Sequence, residues 1–332
     1  MDPDDAPLEA ASVLSAAAPP PSRPGQAGGV ALIPACAAGD ADALQLYLGA
    51  GGSPIYANQH GITAAIALTF PPIMPTKPGM LRALLARGAS ATCTATFGQN
   101  APDMTALHFA AGLGDTALAA VLIDDGAADV DAADAAGKTP LFVATMDRHE
   151  AVVDLLLSRG ADATKATVDG ADALMVLAEP PFGEVAGADT RLATALLAAG
   201  ANLSLRDCNG FTHLHACARH GNAELVQVLL AAGAEVDARM DDEDEWTALM
   251  LAVAPSQAPR AHHHEVTVVR ALVAAGASLA LKDARGRDAY ELCRDHKLRR
   301  VLKKLGGDDT AEAEERELDR LGEDMFTFIT DD

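Results

Sequence analysis

Five residues of the types that bind zinc lie close together in the sequence: Cys208, His213, His215, Cys217 and His220. A tetrahedral zinc site needs four such side chains that converge on one point. A zinc site here therefore requires that the local structure direct four of these side chains toward one point.

Three consecutive histidines, His262, His263 and His264, form a second group of possible metal ligands. Nearby prolines predict that they lie in an exposed loop, where adjacent histidines bind a transition metal only weakly. The sequence has no Gly-x-x-x-x-Gly-Lys phosphate loop, no Gly-x-Gly-x-x-Gly turn, no His-Glu-x-x-His pair and no Gly-x-Ser-x-Gly elbow. We therefore predict a protein that is not an enzyme and that carries no cofactor or metal.

An acidic segment, residues 240–246, is the most specific candidate for binding. Five consecutive acids concentrate negative potential that would attract a basic partner, and the only tryptophan follows them. Tryptophan is a favoured interface residue. The alternative is a solvated turn whose tryptophan packs internally. The candidate contacts in this segment are Met240, Asp241, Asp242, Glu243, Asp244, Glu245 and Trp246.

A tetrad with a Thr-Pro-Leu-His-like pattern recurs along the chain. Its first residues are Thr63, Thr105, Thr139, Asp172, Thr212 and Thr247, with a degenerate last copy at Asp288. Each of the first six tetrads is followed by a leucine-rich helical stretch that ends at Gly-Ala. These glycines are Gly88, Gly126, Gly160, Gly200, Gly233 and Gly276. Glycine suits the left-handed residue that ends a helix, because it has no Cβ to clash.

These registered tetrads and stops resemble the ankyrin repeat over about residues 30–305, with the best copies at 103–134, 137–169 and 207–239. The resemblance implies an all-α fold, in which antiparallel helix pairs stack into a curved array. It also implies projecting turns, called fingers, and a concave face lined by the first helix of each pair. A single unit cannot bury its apolar face alone, so neighbouring units must cover it.

The same resemblance assigns roles to individual residues. It makes His215 the tetrad histidine, which hydrogen bonds to backbone, and places Cys217 and His220 on a helix in diverging directions, which argues against zinc. It also implies that six residues of the first helices face a partner. They are Phe109, Leu113, Met146, Arg148, Arg219 and His220. Core burial is the competing interpretation for these six residues.

Three copies are longer than the others between tetrad and stop, and the additional residues are rich in proline. They include Pro71 and Pro72, then Pro180 and Pro181, and finally Pro255 and Pro259. Because proline breaks a helix, we predict external loops between the paired helices. A further addition at residues 92–102 lengthens a finger. Such loops either carry function or are insertions of low entropic cost.

The formal net charge of the chain is -22. Such a charge repels nucleic acid and anionic membranes, so we expect a protein partner with a basic segment and no binding to either of those. Five cysteines without paired spacing fit a reducing compartment, and no apolar run is long enough for a membrane span. The sequence thus predicts a cytoplasmic or nuclear protein that is a monomer outside its complex.

Residues 1–29 are rich in alanine and proline and are predicted to be disordered, whereas residues 306–332 form an acidic tail. In the tail Leu318, Leu321, Met325 and Phe328 have helical spacing, so it either docks on the preceding basic helix or binds a partner. The predicted function is a protein-binding scaffold or adaptor. Alternatives are the substrate-recognition subunit of a larger enzyme such as a ubiquitin ligase and a structural component of a cytoskeletal assembly.

Overall fold

The computed structural model describes residues 26–58, 60–97, 101–178, 190–254 and 262–306. The chain divides into two compact units. Unit 1 contains the described residues up to Val176 together with Thr194–Ala201, and unit 2 contains those of Leu177–Ala193 and those from Asn202 onward.

Unit 1 is built from paired helices. The pairs are α1 (Gln26–Ala38) with α2 (Ala41–Gly49), α3 (Ala64–Ala67) with α4 (Lys77–Ala86), α5 (Ala106–Gly112) with α6 (Thr116–Asp124), and α7 (Pro140–Met146) with α8 (Glu150–Ser158). A further first helix, α9 (Ala173–Val176), packs against α7, and α10 (Thr190–Ala198) contributes residues to both units. The first helices contact one another in chain order, and so do α2, α4, α6 and α8. The leucines between these rows, such as Leu107, Leu122 and Leu156, are wholly buried.

Unit 2 repeats this arrangement. Its pairs are α11 (His213–His220) with α12 (Ala223–Ala231), α13 (Ala248–Val253) with α14 (His262–Ala274), and α15 (Ala289–Leu292) with α16 (His296–Leu305). The first helices α11, α13 and α15 form one row, and α12, α14 and α16 form the other. The all-α prediction is thereby confirmed, with a single pair of strands in the part of the chain that the structure describes.

The first residue of a tetrad caps the helix that follows it. The Thr139 hydroxyl accepts a hydrogen bond from the Phe142 N–H (3.2 Å), and the Asp172 carboxylate accepts one from the Met175 N–H (2.8 Å). These side chains satisfy backbone donors that the helix itself leaves unpaired. The recurring tetrad therefore marks helix starts.

The Gly-Ala stops end the second helices as predicted, with one exception. Gly160 and Gly233 have φ values of 85° and 91°, in the left-handed region. At the stop after α6, however, Ala127 has the positive φ (48°) instead of Gly126. A Cβ on Gly126 would collide with the Leu122 carbonyl oxygen and with Ala91, so this glycine is needed for close packing.

Two segments differ from the loops that the sequence predicts. His262, His263 and His264 form the first turn of α14 instead of an exposed loop. The lengthened finger forms an antiparallel hairpin of β1 (Thr94–Phe97) and β2 (Ala101–Thr105), with Thr94 opposite Thr105. In addition, α1 begins at Gln26, before the predicted start of the array at residue 30.

The first proline-rich insertion lies between α3 and α4, as predicted. It is held by Lys77, whose side chain is fully buried and whose ammonium donates a hydrogen bond to the Phe70 carbonyl. Burial lowers the pKa of Lys77, and the nearby Asp115 carboxylate opposes that shift. The other two proline-rich segments, around Pro180 and Pro255, lie outside the described residues, as do the N-terminal 25 residues and the tail from residue 307 onward.

Candidate partner-binding surfaces

The acidic segment forms a finger of unit 2 whose two ends are joined by backbone pairing. The Met240 N–H donates to the Trp246 carbonyl (2.9 Å), and Arg239 pairs with Thr247 across the base. At the tip, the Asp242 carboxylate accepts hydrogen bonds from the N–H groups of Asp244 (3.1 Å) and Glu245 (2.9 Å). Asp242 therefore shapes the turn as well as contributing charge.

Glu245 occupies a backbone position that favours glycine. Its φ is 51°, whereas Gly210, at the same place in the preceding finger, has a φ of 75°. A residue with a Cβ is strained in this region. Glutamate in place of glycine is thus accommodated at an energetic cost, and the Glu245 side chain is exposed to solvent.

Arginines on either side of the acidic segment neutralise part of its charge. The pairs are Arg206 with Asp241 (3.4 Å), Arg239 with Glu245 (3.0 Å) and Arg285 with Asp244 (3.0 Å). Five acids and three arginines leave two net negative charges at this finger. Exposed pairs of this kind contribute little to stability, so the arginines mainly reduce and shape the local potential.

Trp246 is half-buried, and its polar atoms are used within unit 2. Its indole N–H donates to the Asp283 carboxylate (3.2 Å), and its carbonyl accepts a hydrogen bond from His215 Nε2 (3.0 Å). These contacts fix the ring on the finger. What remains accessible to a partner is part of the apolar ring surface, since the polar edge already has an acceptor.

The zinc-type cluster does not converge. His215 Nδ1 accepts from the Thr212 N–H (3.1 Å) while Nε2 donates to Trp246, so both ring nitrogens are occupied. Burial lowers the pKa of His215 to about 4 and raises that of the Cys217 thiol, whereas Cys208 is exposed on a finger. Within the described ranges, no three metal-ligating side chains group as a metal site requires.

The first-helix candidates fall into two groups. Phe109, Leu113, Met146 and Arg148 belong to unit 1, and Arg219 and His220 belong to unit 2. Phe109 is half-buried because Phe70 of the proline-rich insertion packs against it, with ring centroids 5.9 Å apart. Met146 is 36% exposed at the end of α7, and Arg148 follows it with a φ of 58°. In unit 2, Arg219 lies 5.5 Å above the Phe211 ring.

Sequence reasoning missed Asp283, which organises the last finger of unit 2. It accepts from the N–H groups of Arg285 (3.0 Å) and Arg287 (2.8 Å), as well as from Trp246. Burial alone would raise its pKa, but the hydrogen bonds from Arg287, Trp246 and Arg285 together hold that pKa below the usual value. The available signal was its position five residues before the tetrad, which Asn58, Asp134 and Asp207 share.

Gly210 gives the next finger room to pack. A Cβ at this position would collide with the Asp241 backbone nitrogen, and its φ of 75° is itself unfavourable for other residues. We therefore expect Gly210→Ala to lower the free energy of unfolding by about 1.5 kcal/mol, because strain and displacement of the finger add.

Urea unfolding followed by circular dichroism measures this change. The matched control is Gly79→Ala in α4, where a new Cβ meets no atom within 4 Å. That variant is expected to be neutral or stabilising by up to about 1 kcal/mol, since glycine weakens a helix. Equal effects of the two substitutions would contradict the close approach at Gly210.

Comparison with known proteins supports a repeat architecture. A family model described as ankyrin repeats (3 copies) matches residues 76–167 and 183–283. The B-cell lymphoma 3 protein homolog of Mus musculus is 30% identical over 166 residues, which are 49% of this chain and 35% of that protein. The glycerophosphocholine phosphodiesterase gde1 of Schizosaccharomyces pombe is 33% identical over 153 residues, 46% of this chain and 12% of that protein. The chain thus spans well under half of either relative.

Among solved structures, the ankyrin repeat domain of human ASB11 is similar in fold. The TM-score is 0.52 at 24% sequence identity, and the similarity covers 69% of this chain and 93% of that domain. No helix in the described part of the chain combines the length and the apolar character that crossing a membrane requires.

Proposed function

The chain belongs to the ankyrin-repeat family, whose repeats imply protein–protein interaction, and from that premise we propose that it is an adaptor or scaffold without catalytic activity of its own. It holds a partner protein through its fingers and first-helix faces. The observation that carries this proposal is the registered stacking of helix pairs within each described unit, where fingers and first helices present side chains from a fixed framework. A fixed framework lowers the ordering cost of association.

The proposed partner is a protein with a basic segment. The net charge of -22 and the two net negative charges left at the acidic segment support that choice, and both disfavour nucleic acid and anionic membranes. We further propose a monomer outside the complex, located in the cytoplasm or nucleus, where the five free cysteines would stay reduced. In this proposal residues 30–305 form the repeat domain between an N-terminal segment and the acidic tail.

The relatives support only this general role. The glycerophosphocholine phosphodiesterase is matched over 12% of its length, so this match gives no ground for proposing the activity in its name here. The proposed contact residues are the acidic segment with Trp246 and the exposed side chains at the ends of the first helices, Met146 and Arg219 among them.

The proposal is tested by capture of partners on the intact chain. Met146→Glu places a charge on the first-helix face, and we expect it to weaken capture of the main partner by about tenfold, since a charge there is left unpaired in the complex. The control is Leu46→Glu on α2, because Leu46 is 75% exposed on a second helix, away from that face.

Quantitative mass spectrometry of the captured proteins, with crosslinking to locate the contact, gives the readout. We expect crosslinks on the fingers and first helices and a Leu46→Glu profile like that of the unmodified chain. A partner that is lost equally with both variants, or crosslinks confined to the second helices, would reject the first-helix face as the binding surface.

A further inference from the structure

A groove of about 570 Å³ opens between two successive fingers of unit 2. One wall is the finger of residues 207–211, and the other is the acidic segment. Gly210 lies against Asp241 where the walls meet. The two fingers are joined through Arg206, whose guanidinium donates to the carbonyl groups of Gly210 (3.2 Å) and Arg239. The groove is therefore built from parts that are fixed before any ligand arrives.

The floor of this interfinger groove is apolar. It is formed by Phe211, Met240, Trp246 and Leu251. Phe211 and Met240 are buried at 8% and 7% exposure, while Trp246 and Leu251 keep part of their surface accessible. Asp283 anchors the indole, so the aromatic surface cannot rotate away without breaking a hydrogen bond. Such a floor fits a large apolar side chain or the alkyl stem of a long cationic one.

The rim of the groove is negatively charged. Asp207, Asp241, Asp242 and Asp244 line it. Asp241 forms an ion pair with Arg206, and Asp244 forms one with Arg285. Asp207 and Asp242 form no ion pair with any cation among the described residues, although each accepts backbone hydrogen bonds in its own turn. Two of the four carboxylates that line the groove, one from each finger, thus have no ion-pair partner among the described residues.

We propose that the interfinger groove binds an extended protein segment in which an arginine stands beside a large apolar side chain. The arginine lies with its stem on Trp246 and its guanidinium between Asp207 and Asp242, and the apolar neighbour covers Met240 and Leu251. A planar guanidinium suits this place because it both stacks on an aromatic ring and pairs with carboxylates. This inference rests on the proposed function and specifies the chemistry of the partner at one site.

The single tryptophan makes the groove directly observable. Because Trp246 is the only tryptophan in the chain, intrinsic tryptophan fluorescence reports this groove and no other place. The probe is a short synthetic peptide with alternating arginine and leucine, titrated into the full chain. A peptide of the same length with glutamate in place of arginine is the ligand control.

The protein variants separate charge from structure. Asp207→Asn with Asp242→Asn removes two charges from the rim, while the amide oxygens still accept the backbone hydrogen bonds of the turns. The matched control, Glu224→Gln with Glu235→Gln, removes two charges from exposed positions of unit 2 outside the groove. Circular dichroism confirms that both variants keep the helical content of the unmodified chain.

We expect a saturable change in Trp246 fluorescence with the arginine peptide, weakened by about tenfold or more in the Asp207→Asn, Asp242→Asn variant and within about twofold of wild type in the control variant. Affinity should fall as salt is raised through about 0.15 M, because the rim is exposed. Equal binding of the glutamate peptide, equal affinity of the two variants, or no saturable change would each overturn the inference.

Failure of this inference and failure of the proposed function are distinguishable. If the peptide does not bind while Met146→Glu still weakens partner capture, the groove assignment is wrong and the adaptor role stands. If the peptide binds and no partner depends on the first-helix face, the groove assignment stands and the wider binding surface is wrong.

Discussion

Replacing Asp283 with alanine is expected to lower the free energy of unfolding of unit 2 by about 3 kcal/mol, because several partly buried donors lose one buried, charged acceptor together. The Asp283 side chain is completely buried and forms an ion pair with Arg287 at 2.7 Å. Its Oδ1 accepts from the backbone N–H groups of Arg285 and Arg287, and its Oδ2 accepts from the indole of Trp246.

The equivalent position in an earlier finger gives the matched control. Asp207 accepts from the N–H groups of Asn209 (2.9 Å) and Phe211 (2.8 Å) in the same way as Asp283, but it is only half-buried and, among the described residues, has neither the ion pair nor the tryptophan. Asp207→Ala is expected to cost only about 1 kcal/mol, the usual contribution of such backbone hydrogen bonds. The difference between the two variants isolates what Arg287 and Trp246 contribute.

Urea unfolding should be followed by circular dichroism, because the substitution at Asp283 itself changes the surroundings of the tryptophan. Acrylamide quenching of Trp246 gives a second readout, and we expect quenching to increase in Asp283→Ala and to stay unchanged in Asp207→Ala. If the two variants lost equal stability, the contacts of Asp283 with Arg287 and Trp246 would add nothing to the backbone hydrogen bonds that both aspartates accept.

The repeat register could be predicted from sequence because it depends on local chemistry. A residue with a short polar side chain stands five places before the tetrad in several copies, as at Asn58, Asp134, Asp207 and Asp283, and it accepts hydrogen bonds within its own finger. The position two places before the tetrad has a positive φ in each described copy, including the non-glycine residues Asp103 (68°) and Glu245 (51°). Such rules involve only residues that are neighbours in the chain.

The charge distribution of the acidic segment could not be predicted in the same way. Five consecutive acids suggested a strongly negative finger, but Arg206 and Arg285 come from the fingers before and after it. Their pairing depends on how successive fingers pack, which the sequence of one finger does not contain. The sequence therefore identifies the run of acids but not the ion pairs that reduce its net negative charge.

Buried polar residues were also missed where the sequence pattern is broken. Lys77 lies at the start of α4, after the proline-rich insertion, where a lysine is ordinarily solvated. It is buried because its ammonium holds the Phe70 carbonyl, and Phe70 in turn packs against Phe109. The half-burial of Phe109 follows from an insertion absent from the regular repeat, so the repeat pattern alone could not give it.

Acidification is expected to destabilise unit 2 through His215. Burial is the main cause that lowers the pKa of His215 from 6.5 to about 4, because the charged imidazolium would lose its hydration. The structure adds a geometric reason. Nδ1 accepts hydrogen bonds from the Thr212 N–H (3.1 Å) and pairs with the Thr212 hydroxyl (2.8 Å), so a proton on Nδ1 would remove the acceptor of the helix cap.

Acid destabilises unit 2 because the unfolded chain binds the proton more readily than the folded chain. Between the folded pKa of about 4 and the unfolded value of 6.5, the unfolded chain takes up a proton that the folded chain does not. Stability from neutral His215 is therefore fully present above the unfolded pKa and is lost as the pH falls toward the folded one. The loss is about 2 kcal/mol at about pH 5 and approaches about 3.4 kcal/mol below the folded pKa.

Urea unfolding across this pH range measures the loss, with His215→Gln as the variant that cannot titrate. Glutamine at this place in the first turn can still accept from the cap N–H, so the helix start is retained. We expect the variant to be less stable than the unmodified chain at neutral pH but to lose less stability on acidification. Residual pH dependence should come in part from His108, whose pKa burial also lowers and whose Nε2 contacts the Lys138 carbonyl at 2.9 Å in unit 1. Parallel curves for the two proteins between about pH 4 and 6.5 would show that His215 binds its proton equally well in the folded and unfolded states, contrary to its burial.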